Sequence, residues 1–422
     1  MRSFTTTSSS APNTISICHI HNHISLHIPI NITSFSSKLG QKERSMKTLL
    51  LFSKTKMKSL LFCVVFLELV WFGYCHDQSR NHHPLAPAFF IFGDSLVDSG
   101  NNNYIPTLAK ANYLPYGIDF GFPSGRFCNG RTVVDYGAMY LGLPLVPPYL
   151  SPVSIGGNVL KGLNYASAAA GILDETGQHY GARTTLNGQI SQFEMTIQLQ
   201  LQPFFQNPAD LRKYLAKSII AINIGSNDYI NNYLMPDRYS SSQIYGGKEY
   251  AILLIKTLSA QISRLYNLGA RKMVLAGSGP LGCIPSQLSM VRGKNSSGCV
   301  TKINNLISMF NSRLQDLPNT LNKTLPGSFF IYQNFYDLFH DMVVNPSRYG
   351  LVIANKACCG GGRYGGALTC LPLQQPCLDR HHYVFWDAFH PTEIANKIIA
   401  KNTFSKSTKY SYPISFYELA KL

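Results

Sequence analysis

The stretch Ala88-Phe89-Phe90-Ile91-Phe92-Gly93-Asp94-Ser95-Leu96 carries the main signal for the fold of this chain. Its first five residues form a continuous apolar run, which is typical of a strand buried on both faces. Gly93 ends the run at a tight turn, because glycine accepts backbone conformations that other residues avoid. The pattern predicts a buried strand whose turn presents Ser95 above the end of a sheet.

Three further apolar runs repeat this pattern, at residues 218–224, 272–276 and 328–332. Between them, residues 250–268 and 300–317 place apolar side chains at helical spacing. Buried strands that alternate with amphipathic helices predict an α/β protein, with a mostly parallel central sheet between two helical layers. Ligands bind beyond the carboxyl ends of the strands in such sheets, and Ser95 and Asn227 both follow strand ends.

The first 75 residues have a different composition from the rest of the chain. Residues 1–56 are rich in Ser, Thr, His and Asn and lack the periodicity of a packed core, so we interpret them as an unstructured or non-native extension. Residues 57–75 combine a basic start, an apolar stretch and small residues, which is typical of a secretory signal peptide. The true start is then Met57 or Met46; the alternative is a transit peptide for a plastid or another organelle.

The formal net charge of +16 overstates how basic the folded part is. Residues 1–75 hold eight Lys/Arg and two acidic residues, and the remainder holds 29 basic and 19 acidic residues. No basic run interleaved with aromatic residues indicates nucleic-acid binding. The apolar stretch of the leader is short for a membrane span, and no second one follows. We expect residues 76–422 to form a single domain, monomeric and without an integral membrane span.

Seven cysteines lie beyond the leader, and most should form disulfides in an oxidising compartment. They are Cys128, Cys283, Cys299, Cys358, Cys359, Cys370 and Cys377. Cys283 and Cys299 are spaced to close one local loop, and two of the four cysteines between residues 358 and 377 can close another. The odd count leaves one free thiol, and the connectivity stays open. The spacing lacks the C-x₂-C pattern of a zinc site. Sequons at Asn295 and Asn322 are consistent with secretion.

Ser95, Asp387 and His390 are the candidate catalytic residues. A serine hydroxyl needs an adjacent base, and an imidazole with a carboxylate three residues before it supplies both the base and the group that orients it. We expect a helix after Ser95 and another that starts at Pro391. The simpler interpretation of Ser95 is a helix cap. His381 and His382 are nearby competitors, but neither is followed by a helix start.

Two further segments are candidates for stabilising negative charge on a reacting ester. Asn227 follows an apolar strand, where its side-chain amide can donate to a developing oxyanion, although an Asn/Asp turn is equally common there. Residues 162–171 are a run of small residues, which lets backbone amides approach a ligand. Small residues also allow close packing, and taken alone this run favours packing.

With these blocks in order, the chain resembles the plant-type GDSL esterase/lipases of the SGNH hydrolase superfamily. The family carries Gly-Asp-Ser-Leu, a glycine in a small-residue segment, Gly-x-Asn-Asp, and Asp-x-x-His near the C-terminus. The resemblance covers roughly residues 87 to 405. Further matches are Val97-Asp98-Ser99-Gly100-Asn101-Asn102-Asn103, Gly125-Arg126-Phe127-Cys128-Asn129-Gly130-Arg131, Gly279-Pro280-Leu281-Gly282-Cys283 and Cys358-Cys359-Gly360.

The resemblance implies a flavodoxin-like three-layer α/β/α sandwich and a secreted serine esterase or lipase. It implies Ser95 as nucleophile, His390 as base and Asp387 as its orienting acid. The oxyanion hole would combine the Ser95 amide, the Asn227 side chain and a backbone amide of the small-residue segment. Relatives often carry glycine where this chain has Ala168 and Ala169, so the Gly171 amide is our choice for that third donor and the Ala170 amide is the alternative.

Relatives often carry serine at Cys128, which makes Cys128 the candidate for the free thiol. No cofactor or metal is expected. Residues 277–282 fit the spacing of a dinucleotide-binding loop, but Pro280 and Pro285 interrupt the helix that such a loop needs. An acyltransferase with the same fold, of the kind that builds cutin, and a non-catalytic wall- or lipid-binding protein remain the alternative functions. Lipid, acetylated polysaccharide and phenolic esters all remain open as substrates.

Overall fold

The computed structural model describes residues 83–291 and 298–422, so the predicted extension, the leader and the Asn295 sequon lie outside the described residues. The described strands, in chain order, are β1 (Phe89–Gly93), β2 (Ile219–Asn223), β3 (Lys272–Ala276), β4 (Phe329–Gln333), β5 (Ile353–Ala357), β6 (Tyr383–Phe385) and β7 (Ser411–Tyr412). The first four pair in parallel in the order β1-β2-β3-β4, and β7 adds an antiparallel edge. β5 and β6 form a separate parallel pair.

The small-residue segment runs beside the free edge of β1. The Ile91 amide donates to the Leu163 carbonyl at 3.1 Å, and the Tyr165 amide donates to the Ile91 carbonyl at 2.8 Å. Ile91 and Asn164 pair in parallel, so this segment occupies the position of a further parallel strand. Counted in chain order, the sheet then has the 2-1-3-4-5 order of flavodoxin-like folds, which confirms the predicted fold class.

Helices connect the strands. In chain order they are α1 (Val133–Tyr140), α2 (Leu186–Met195), α3 (Pro208–Lys217), α4 (Ser226–Asp228), α5 (Ser241–Ile244), α6 (Gly247–Asn267), α7 (Pro285–Met290), α8 (Thr301–Thr324), α9 (Phe335–Val344), α10 (Glu393–Thr403) and α11 (Phe416–Lys421). The two helices expected from apolar spacing are α6 and α8, and they pack against each other.

The two faces of the sheet are covered by different helices. Successive strand residues point to opposite faces. The Phe90 ring packs against Phe193 of α2, with 5.0 Å between ring centroids, whereas the Phe89 ring meets Phe404, directly after α10, at 6.5 Å. All five residues of β1 are buried. This arrangement is the predicted α/β/α sandwich, and it leaves the carboxyl ends of the strands free for a site.

Two expected helix starts are wrong. Ser95 is followed by a turn, in which the Val97 and Asp98 amides donate to the Asp94 carbonyl, and not by an α-helix. The last long helix begins at Glu393 and not at Pro391, because the Thr392 side chain caps it by accepting from the Ala395 amide. The first segment is held by the turn at Asp94, whereas the second pairs with β6, since Phe385 and Pro391 form an antiparallel bridge and the Thr392 amide donates to the Val384 carbonyl.

Three disulfides join six of the cysteines. Cys283 bonds to Cys299 as expected, Cys358 bonds to Cys377, and Cys359 bonds to Cys370. Cys128 is the free cysteine of the described residues and is buried. The Asn322 sequon lies in α8, where its side chain bonds to the backbone of Phe330. No helix in the described ranges has the length and apolarity to cross a membrane.

Candidate active site

The turn that carries Ser95 is fixed by close backbone contacts at the end of β1. A Cβ atom on Gly93 would lie 2.2 Å from the Asn223 carbonyl oxygen, so only glycine fits between β1 and β2. The buried Gln189 side chain of α2 bonds to both the amide and the carbonyl of Gly93, at 2.9 and 2.8 Å. Ser95 itself is half-buried. The sheet therefore holds its hydroxyl at a surface that a substrate can reach.

Asp387 and His390 follow β6 and meet this hydroxyl. His390 Nε2 lies 2.7 Å from Ser95 Oγ, and His390 Nδ1 lies 2.8 Å from both carboxylate oxygens of Asp387. The amides of Phe389 and His390 also donate to Asp387 Oδ1, at 2.9 and 2.8 Å. The structure brings the three predicted residues together in the order hydroxyl, imidazole, carboxylate.

The second oxygen of Asp387 accepts a hydrogen bond that was not predicted. The Tyr116 hydroxyl donates to Asp387 Oδ2 at 2.6 Å, and both residues are buried. Burial alone would raise the pKa of Asp387, but the charge of His390 and hydrogen bonds from His390, Tyr116 and Phe389 hold that pKa below its ordinary value. The sequence held no signal for Tyr116, because it lies 271 residues from Asp387.

The chain contains two further Asp-x-x-His pairs, Asp337–His340 and Asp379–His382, and none of these residues lines the cleft at Ser95. Asp379 Oδ2 lies 2.7 Å from His382 Nδ1, but both side chains are largely exposed. His381 is exposed as well, and none of the three lines the cleft at Ser95. Burial of the carboxylate and the presence of a hydroxyl on Nε2 distinguish the Asp387–His390 pair.

Asn227 lies in α4 with its side chain held at both ends. Its Nδ2 donates to the Ala170 carbonyl at 2.9 Å, and its Oδ1 accepts from Asn231 Nδ2 at 2.6 Å. Since Nδ2 carries two hydrogens, one remains for a ligand. Asn227 lines the same cleft as Ser95 and His390. Its fixed orientation suits a donor to negative charge.

The small-residue segment holds several backbone amides that differ in their hydrogen bonds and in their position relative to the cleft. The Ala168 amide is bonded to Asn102 Oδ1, and the Ala170 amide is bonded to the Ser167 carbonyl. Gly171 lies outside the cleft lining, where a Cβ atom would meet Thr176 and Asp228. Ala169 lines the cleft with φ of 66°. Within the described residues the amides of Ser95, Ala169 and Gly171 have no hydrogen-bond acceptor, and of these residues Ser95 and Ala169 line the cleft.

Asp228 fixes the far end of the small-residue segment. Its carboxylate accepts from the amides of Ile172 and Leu173, at 2.8 and 3.0 Å, and from the Thr176 hydroxyl at 2.8 Å. Burial raises the pKa of Asp228 to about 6, while these donors oppose the rise. The Asp beside Asn227 in Gly-x-Asn-Asp thus has a structural explanation, since it ties the two donor segments together.

Ser95, Asp387, His390, Asn227 and Ala169 line one cleft with a volume of about 150 Å³. Its walls carry the apolar and aromatic side chains of Leu108, Tyr113, Tyr180, Ile230 and Phe389, and Lys110 also lines it. Among the described residues, one group of three possible metal ligands comes together, formed by Cys283, Cys299 and His340. Its two cysteines form a disulfide, so it offers no thiolate to a metal ion.

A hydroxyl, an imidazole and a buried carboxylate in line at the end of a parallel sheet form the arrangement of a serine hydrolase. The family described as GDSL-like Lipase/Acylhydrolase matches residues 89–403, which is most of the chain. The chain belongs to this family.

Named relatives agree with this assignment. The chain is 84% identical over 366 residues to a protein of Arabidopsis thaliana named GDSL esterase/lipase 7, covering 87% of this chain and 100% of that protein. Two further Arabidopsis thaliana proteins named GDSL esterase/lipase are 48% and 46% identical over 365 and 362 residues. They cover 85% and 86% of this chain and 98% of each relative. The protein is a carboxylic ester hydrolase of the GDSL esterase/lipase type.

Proposed function

We propose that this hydrolase cleaves carboxylic esters through an acyl-enzyme formed on Ser95, with His390 as the base and Asp387 as its orienting acid. The observation that carries the proposal is the 2.7 Å contact between His390 Nε2 and Ser95 Oγ, with the buried Asp387 on Nδ1. At this distance the imidazole can take the hydroxyl proton while the oxygen attacks the ester carbonyl.

The reaction has two halves. In the first, Ser95 Oγ bonds to the carbonyl carbon, and His390 then gives its proton to the departing alcohol. In the second, a water molecule loses a proton to His390 and attacks the acyl-enzyme, which releases the acid and restores the Ser95 hydroxyl. Asp387 holds Nδ1–H throughout and stabilises the imidazolium that forms in each half.

The oxyanion is stabilised by three donors in this proposal. They are the amides of Ser95 and Ala169 and the free hydrogen of Asn227 Nδ2. We favour the Ala169 amide over the Gly171 amide, because neither has an acceptor among the described residues but only Ala169 lines the cleft. Loss of the Asn227 donor is expected to slow turnover by about 10²–10³-fold.

We also propose that the protein is secreted. Three disulfides among the described residues support an oxidising compartment. N-terminal sequencing of the protein recovered from the medium of expressing plant cells tests this. A start near residue 76 is expected, and retention inside plastids would contradict secretion.

The test of the mechanism is hydrolysis of p-nitrophenyl acetate, butyrate and laurate by the protein from residue 76, beside its Ser95→Ala variant. The parent should release p-nitrophenol, and the variant should lose nearly all of this activity while it keeps the parent's melting temperature. A variant that retains activity would overturn Ser95 as the nucleophile. Adding an alcohol to the assay distinguishes hydrolysis from acyl transfer. A new ester would indicate transfer, whereas the free acid would indicate hydrolysis.

A further inference from the structure

A second, smaller cavity lies next to the cleft and shares a wall with it. Its volume is about 50 Å³, and its lining is mostly apolar. The apolar side chains come from α1, α9, α10 and the segment after β3: Val133, Leu281, Ile284, Phe335, Phe339 and Ile399. Among the polar side chains at its margin, the Asn396 amide already donates to the Arg131 carbonyl. Asn223 and Ser226 are the other polar side chains of the lining, and none of the lining side chains is charged.

Phe389 and Leu96 connect this cavity to the reacting groups. Phe389 lines both the cleft and the apolar cavity, and Leu96 directly follows Ser95 and lines the cavity. The Phe389 ring stands edge-on to the His390 ring, with 6.0 Å between centroids. Phe389 is half-buried and packs against the hydrophobic core, and because it lines both spaces its side chain lies between them.

We propose that the apolar cavity receives the end of the acyl chain of the ester bound at Ser95, and that Phe389 limits the length of that chain. The proposal rests on the proposed function, because it assigns a place to the acyl group of the same reaction. The cavity is about a third of the volume of the cleft, so it has room for only a short alkyl end. The enzyme should therefore prefer short acyl chains, and the alcohol should leave through the cleft.

Phe389→Ala tests this role of Phe389 directly. It joins the two spaces while it keeps the backbone amide that donates to Asp387. The kcat/KM values for p-nitrophenyl acetate, butyrate, hexanoate and octanoate would be measured for parent and variant. Burial of each further methylene is worth roughly a fourfold change. The octanoate-to-acetate ratio should therefore rise by at least about tenfold in the variant.

Ile399→Phe is the opposite change, because it fills the cavity from α10 without touching the cleft. It should lower the ratio of kcat/KM for hexanoate to kcat/KM for acetate and leave acetate hydrolysis measurable. This variant still tests the proposal if Phe389→Ala does not fold. Ile230→Ala is the matched control, since Ile230 lines the cleft but not the cavity. It should leave the ratios within about twofold of the parent.

Two results would overturn the proposal. One is an unchanged octanoate-to-acetate ratio in a folded Phe389→Ala variant that still hydrolyses acetate. The other is a ratio that responds to Ile230→Ala and not to Phe389→Ala, which would place the acyl chain in the open cleft. A parent that hydrolyses none of the esters would contradict the proposed function instead, so the two failures are distinguishable.

Discussion

Asp94 and Asp387 are two equally buried carboxyl groups on either side of the Ser95–His390 contact, each with about 1% of its surface exposed. Their pKa values nevertheless move in opposite directions. Burial raises the pKa of Asp94 to about 7, against one opposing hydrogen bond from the Leu96 amide. Its Oδ2 has no hydrogen-bond partner within the described residues. Asp387 is buried to the same degree, but its pKa is held below the ordinary value.

The two pKa values differ because the two carboxyl groups have different numbers of hydrogen-bond donors, and one donor to Asp387 can carry a positive charge. Asp387 accepts from His390 Nδ1, from the Tyr116 hydroxyl and from two backbone amides. Burial disfavours a charge, and donors to the charged form restore it. Asp387 is therefore stabilised as a carboxylate next to the imidazole, whereas burial favours the protonated form of Asp94 in the turn that holds Ser95.

Asp387→Asn should have the largest effect. An amide at this position can present its NH₂ to Nδ1, which favours the wrong tautomer of His390, and kcat should fall by about 10⁴-fold. Asp379→Asn is the matched control, because Asp379 also precedes a contacting histidine by three residues but is exposed. It should change kcat by less than about twofold. An equal loss in both variants would argue against a special role for the buried pair.

Asp94→Asn tests the other carboxyl through the pH dependence of stability. A group whose folded pKa is about 7 and whose unfolded pKa is 3.8 stabilises the fold below pH 4, and this stability is lost as pH rises through 7. The loss is on the order of 4 kcal/mol at full effect. Urea unfolding of parent and variant at pH 4.5 and 7.5 measures it. The parent should lose more stability than the variant, and equal losses would contradict the raised pKa.

The sheet was predictable from sequence because each strand is marked by a continuous apolar run within a few residues. The four apolar runs appear as β1 to β4, and helical spacing located α6 and α8. The strand-like position of residues 163–167 was not predicted, because small residues in this segment give no apolar run. β7 was missed for a similar reason, since two residues carry no periodicity.

The site was predictable only where a motif carries it. Ser95, Asp387 and His390 are brought together as expected, but Tyr116 is far from Asp387 in sequence and belongs to no recognised block. The third oxyanion donor stays a prediction, because backbone hydrogen bonds occupy the Ala168 and Ala170 amides and leave the amides of both Ala169 and Gly171 without an acceptor. The pairing of Cys358 with Cys377 needed the fold, because spacing alone allows several connectivities.

Removal of the Cys359–Cys370 disulfide should weaken the support of Asp387. The Cys359 amide donates to the Trp386 carbonyl at 2.7 Å, next to Asp387. Replacing both cysteines by alanine should lower the free energy of unfolding by about 3 kcal/mol. The Cys283–Cys299 pair is the control, since its removal should cost about as much stability without a comparable loss of kcat. Chemical denaturation and ester hydrolysis, measured on both double variants, separate the two effects.

Tyr116→Phe is the smallest of these changes. It removes one hydrogen-bond donor from Asp387 and keeps the aromatic ring. A hydrogen bond to a charged group is worth about 1.5–3 kcal/mol, so kcat should fall by roughly tenfold or more while KM changes little. Tyr113→Phe is the matched control, since the Tyr113 hydroxyl donates to the Cys370 carbonyl at 3.0 Å and not to Asp387. Equal losses of kcat in the two variants, or a change confined to KM, would show that the phenol acts through packing. A loss of kcat confined to Tyr116→Phe would show that the charge on Asp387 depends on this donor, which Asp94 lacks.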